Sequence, residues 1–94
     1  MSVTKNGDTG VHTLDAQDDY LLGMMYISYL RPIGMTSGDS MVVLSASGNI
    51  TAPVDGGYLA TLVNNSDPIP IMRWLEGIKL SSHTTGTLEV HTGQ

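Results

Sequence analysis

The sequence is expected to fold as an all-β domain, an antiparallel β-sandwich or small barrel of seven to eight short strands. Three observations carry that expectation. Alternating apolar and polar stretches of roughly four to eight residues recur along the 94 residues, separated by Gly, Asn, Asp and Pro. No helical periodicity lasts beyond a turn or two. The apolar volume comes from Leu, Ile, Val and six Met, with no Phe, one Trp and no Cys, so neither a disulfide framework nor a thiolate metal site supplements the core.

Residues 1–10 are polar and carry the turn signal Asn6-Gly7, which reads as a disordered tail or as an arm that orders against a neighbouring subunit. Residues 11–94 form a single domain. Val11 to Ala16 alternates weakly, as a first edge strand does, and Asp15 to Asp19 is a candidate helical turn capped by Asp15. Its carboxylates do not have the spacing of a calcium loop. Tyr20 to Arg31 is apolar in both alternating sets, the mark of a strand covered on both faces, and Pro32 is expected to end it. A loop follows at Gly34 to Asp39. Ser40 to Ala46 then reads as a strand, Ser47-Gly48-Asn49 as a three-residue turn, and Ile50 to Val54 as an edge strand marked by Pro53, with Leu44 opposite Ala52. Asp55-Gly56-Gly57 turns the chain again into a strand at Tyr58 to Val63. Asn64 to Pro68 is a loop. Ile69 to Gly77 is extended, its two prolines and β-branched residues outweighing a short helix closed by Gly77.

Trp74 to His91 holds the most regular pattern. Ile78 and Leu80 alternate with Lys79 and Ser81, and Leu88 and Val90 alternate with Glu89 and His91. Thr84-Thr85-Gly86 has glycine where a hairpin loop needs a left-handed residue. The pattern predicts a hairpin with His83 opposite Thr87 and Leu80 opposite Val90.

Charge is sparse, with four Lys and Arg against nine Asp and Glu, a formal net −5. The four cations are scattered, which argues against nucleic-acid binding. The stretch around Tyr20 to Leu30 is too short and too polar to span a bilayer, and Met1 to Asp8 lacks the apolar core of a signal peptide, so synthesis in a cytosol is expected. Thr36, within Gly34-Met35-Thr36-Ser37-Gly38, imitates a nucleophile elbow, but nothing helical follows it. His12, His83 and His91 lack the close pairing of zinc ligands, and the glycine-rich segments lack the ending of a phosphate loop. No catalytic residue, metal or cofactor is expected. Trp74 with Tyr58 or Tyr29 is a candidate platform for stacking a sugar ring or a partner, weighed against burial of the lone Trp in the core, which the composition favours. A core this small gains from burial against copies of itself or a partner.

Several features together carry a resemblance: the apolar strand ending in Arg31-Pro32-Ile33-Gly34, the Ser37-Gly38-Asp39 turn and Ser47-Gly48-Asn49-Ile50. Arg73-Trp74-Leu75-Glu76-Gly77-Ile78-Lys79-Leu80 and the closing Gly86-Thr87-Leu88-Glu89-Val90 complete it. Across residues 11–92 the chain resembles small β-sandwich structural proteins of tailed-bacteriophage virions, although His91-Thr92-Gly93-Gln94 is more polar than the final strand expected there. The resemblance implies a virion protein assembled in the host cytoplasm, a capsid decoration or cement protein or a small tail or fibre component. Its partners would be its own copies, as a trimer, and a major capsid or other virion protein, with no enzymatic activity. The alternative is a small carbohydrate- or receptor-binding module.

Overall fold

The computed structural model describes residues 3–5, as backbone, and residues 10–93. The strands are β1 (Val3–Lys5), β2 (Gly10–Leu14), β3 (Asp19–Ile33), β4 (Ser40–Asn49), β5 (Ala52–Val63), β6 (Ile69–Ser82) and β7 (Thr87–Thr92), with no helix among the described residues. They make one open antiparallel sheet in the order β2-β7-β3-β6-β4-β5, to which β1 adds a short parallel pairing on β3 at Tyr20 to Leu22. Val3–Lys5 of the expected arm therefore pairs within its own chain; the rest of residues 1–9 lies outside the described residues.

The sheet curls around one core. Leu14 from one edge strand and Leu62 from the other share a cluster with Met25, Ile27, Leu30, Val43, Ile78 and Val90. The first half of β3 is buried on both faces: Leu21 joins that cluster, while Tyr20 and Leu22 pack with Ala46 in a second, smaller one. The expected cover on both faces from Tyr20 to Arg31 therefore holds only as far as Leu22; beyond it Met24 is exposed and Tyr26 half-buried, so the second face of the strand is open.

The C-terminal hairpin is corrected. The strands β6 and β7 do not pair with each other, because β3 lies between them. Leu80 faces Asp19 and Val43, and Val90 faces His12 and Leu30. Alternation assigns each residue to a face, and Ile78, Leu80, Leu88 and Val90 are all buried as that assignment requires. It does not choose the neighbour. The segment 83–86 instead crosses from Ser82, beside Val42, to Thr87, beside Ile33. It is pinned by Thr85, whose hydroxyl accepts from Thr36 N–H at 2.9 Å and donates to Asp39 at 2.8 Å. Gly86 does take a left-handed φ of 88°, in a space closed by Met35 and the Ile33 carbonyl.

Four other boundaries move. The β4–β5 turn is Ile50-Thr51, not Ser47-Gly48-Asn49, so Leu44 faces Tyr58 and Asn49 faces Ala52. Asn49 organises the turn through its side-chain oxygen, which accepts from Thr51 N–H and Ala52 N–H, both at 3.0 Å. Asp55-Gly56-Gly57 is not a turn but a bulged stretch inside β5, where the backbones close in: a Cβ on Gly56 would lie 2.1 Å from Ser45 Oγ. Pro32 does not end β3; past Leu30 the strand is paired with β7 alone, and a proline fits a strand with one neighbour. Asp15 caps no helix. The turn before β3 is held the other way round, by Asp19 accepting from the N–H groups of Asp15 (3.2 Å) and Ala16 (3.0 Å). Because the expected breaks do not interrupt the pairing, three strands are long: β3 has 15 residues, β5 has 12 and β6 has 14.

Candidate functional site

The middle of the β3–β6 ladder is where the sheet turns apolar groups outward. Two register shifts bracket it. Between Leu22↔Gly77 and Met25↔Leu75, β3 supplies Gly23 and Met24 against the single Glu76. Between Ile27↔Arg73 and Tyr29↔Pro70, β6 supplies Ile71 and Met72 against the single Ser28. Each extra residue bends its strand and re-aims a side chain. Met24 is 55 % exposed and Met72 is 67 % exposed, the latter at a left-handed φ of 54° that is uncommon for a residue with a side chain.

Between the bulges Tyr26 faces Trp74, with ring centroids 5.8 Å apart in an edge-on arrangement. Met25 and Ile27 on either side of Tyr26 are buried, so this pair stands on the outer face, and Trp74 is 59 % exposed. The expected burial of the lone Trp is thereby corrected. Trp74 has the same parity as Ile78 and Leu80, but the phase of β6 flips at Glu76-Gly77, opposite the first bulge. Gly77 is needed there, since a Cβ would lie 2.7 Å from the Leu21 carbonyl. The result is a band of Met24, Tyr26, Trp74 and Met72, with exposed Arg73 and Glu76 beside it. The C-terminal end braces it: Gly93 N–H donates to the Tyr26 carbonyl at 2.8 Å, and the Ser28 hydroxyl donates to the Gly93 carbonyl.

The three aromatic candidates from the sequence have separate neighbours. Trp74 packs on Tyr26, a residue that no sequence pattern links to it. Tyr29 stacks flat on His91, with centroids 4.1 Å apart. Tyr58 is exposed on the edge strand β5, its hydroxyl 2.7 Å from Thr61 Oγ1.

A second polar centre ties β3, β5 and β6 together. Lys79 Nζ donates to Asp55 at 2.8 Å and lies 3.4 Å from Asp18, over the ring of Tyr20, whose hydroxyl donates to Asp55 at 2.5 Å. The hydrogen bond to Asp55 holds the Lys79 ammonium protonated well above its ordinary range, and the same carboxylate raises Tyr20. Lys79 in turn, with Tyr20, lowers Asp55. Through these contacts the centre fastens the edge strand β5 to β3 and β6.

The remaining candidates do not converge. His83 Nε2 meets the Gly86 carbonyl at 2.7 Å and His91 Nε2 meets Glu89 at 3.0 Å. No group of three or more His, Asp or Glu among the described residues could hold a metal ion. Thr36 lies in an exposed loop leading into a strand, without the strand-to-helix turn of a nucleophile elbow. No family model, curated protein or solved structure matches the chain.

Proposed function

We propose that this chain is a bacteriophage virion structural protein, a capsid decoration or cement protein of sandwich architecture that works through protein–protein contacts made by its Met24–Tyr26–Trp74–Met72 face. The observation that carries the docking face is the placement of Trp74 and two Met in solvent on a braced sheet, one Met at a left-handed φ. Backbone strain of this kind costs on the order of 1–3 kcal/mol and clusters at functional positions. Exposed Met and Trp together give an adaptable contact surface with a large apolar area. The virion assignment rests on the sequence resemblance.

The chain assembles as a homo-oligomer, a trimer as the resemblance implies, and sits in the virion after assembly in the host cytoplasm. Support comes from β5, a 12-residue terminal strand whose exposed Val54, Tyr58 and Val63 are interrupted by one charge, Asp55, already engaged by Lys79. Light scattering on the purified chain tests this, and a monomer at all concentrations contradicts it. Co-sedimentation with particles from the host that carries the gene tests the docking face. Wild-type protein pellets with the particles, while Trp74→Ala, still folded by circular dichroism, binds at least about ten-fold more weakly. Equal pelleting of the two contradicts the assignment.

The exposure of Trp74 favours a second reading, a glycan- or receptor-binding module in which its ring stacks on a sugar. Saturable sugar binding on an array, lost in Trp74→Ala, would establish it in place of the first.

A further inference from the structure

The fold sorts its methionines sharply. Met25, Met35 and Met41 are buried in the core, whereas Met24 and Met72 stand in solvent, one at each end of the Tyr26–Trp74 pair and each on a bulge. A leucine at either position would offer similar apolar area without a thioether. The sulfur brings a reaction as well as softness: a methionine sulfoxide is polar, chiral and reducible, and thioether oxidation follows exposure.

We propose that Met24 and Met72 form a reversible oxidation site whose two-electron oxidation by a peroxide turns the Tyr26–Trp74 face from apolar to polar and switches its docking off. The sulfur lone pair attacks one peroxide oxygen, the O–O bond breaks, and the departing hydroxide takes the proton as water. The thioether becomes a sulfoxide as the peroxide is reduced. Because the three core methionines are shielded, the fold survives while the face changes. A methionine sulfoxide reductase with a thiol reductant restores the apolar state.

The loss of docking rests on the function proposed above, so the test keeps the two separable. The full chain is treated with hydrogen peroxide under native conditions, and each methionine is followed by fragment-resolved mass spectrometry, which separates Met24 from Met25. Met24 and Met72 are expected to gain oxygen at least about ten-fold faster than Met25, Met35 and Met41. The oxidised protein should keep its melting midpoint, elute earlier from a hydrophobic-interaction column and lose co-sedimentation with particles, all reversed by the reductase. Peroxide should not change the column retention of the double variant Met24→Leu/Met72→Leu relative to the same variant before treatment, whatever its own level of pelleting. Unselective oxidation, unchanged column retention, or undiminished pelleting of the oxidised protein overturns the proposal. If reduced wild-type protein does not pellet at all, the docking reading fails by itself, and selectivity with column retention still decides whether the oxidation site exists.

Discussion

Met72 is the residue at which the structure most visibly accepts a cost. An L-residue in the left-handed region is disfavoured by roughly 1–2 kcal/mol, against an entropic cost of about 0.5–1 kcal/mol for placing glycine in a strand. Met72→Gly is therefore expected to leave stability unchanged or raise it by up to about 1.5 kcal/mol, read as a denaturant midpoint, while weakening pelleting with particles. A clearly destabilised variant would mean that the side chain serves the fold and not a partner. The Lys79 cluster makes a different prediction. Asp55 is held below its ordinary 3.8, so its contribution is present above that pH and is lost as pH falls through the lowered value. Tyr20 and Lys79 are held above 10.0 and 10.5; what they contribute is complete below those values and lost as pH rises through the raised ones. The melting-midpoint gap between wild type and Asp55→Asn should be level through neutral pH and narrow below about pH 3.8. A gap that stays constant down to pH 2 contradicts the assignment. Neither the cluster nor the exposure of Trp74 was legible in the sequence. Lys79 and Asp55 are brought together across β4, which pairs Leu44 with Lys79 on one side and Ala46 with Asp55 on the other, and a parity count from Leu80 back to Trp74 fails because of the phase change at Gly77.

At the scale of elements, faces were legible and neighbours were not. The alternation around Leu80 and Val90 correctly identifies what is buried, and it does so through side-chain chemistry that any strand pairing must respect. Pairing depends on which long strand inserts, and β3 separates β6 from β7 although only four residues join them. Leu80→Glu should cost about 4 kcal/mol or more, since it puts a charge into the core, and Ser81→Glu less than about 1 kcal/mol. Equal midpoints for the two would place Leu80 outside the core. Gly86→Val should cost at least about 2 kcal/mol, because the left-handed φ is combined with a Cβ position 2.7 Å from Met35 and 2.8 Å from the Ile33 carbonyl. An unchanged midpoint contradicts that geometry. The lost boundaries share one cause: Asp55-Gly56-Gly57 and Ser47-Gly48-Asn49 carry turn residues that the fold spends on bulges and on the approach of β5 to β4. Glycine signals a departure from regular geometry without saying whether the chain reverses.

At the scale of the molecule, the chain is one curled antiparallel sheet with edges β2 and β5 and an apolar band on the outside of its centre. That all-β character was legible from alternation, turn residues and the absence of helical periodicity. The band was not, because it arises from two bulges that no local pattern announces. The central claim is that this band is the contact surface, and Trp74, the sole tryptophan, reports on it directly. The decisive measurement is the emission of Trp74 in the free protein and in protein pelleted with particles. Burial of the band on docking predicts a solvent-exposed, red-shifted spectrum for the free protein and a blue-shifted, quencher-protected one for the bound protein. Bound protein whose Trp74 emission stays red-shifted and fully accessible to quencher would contradict the account.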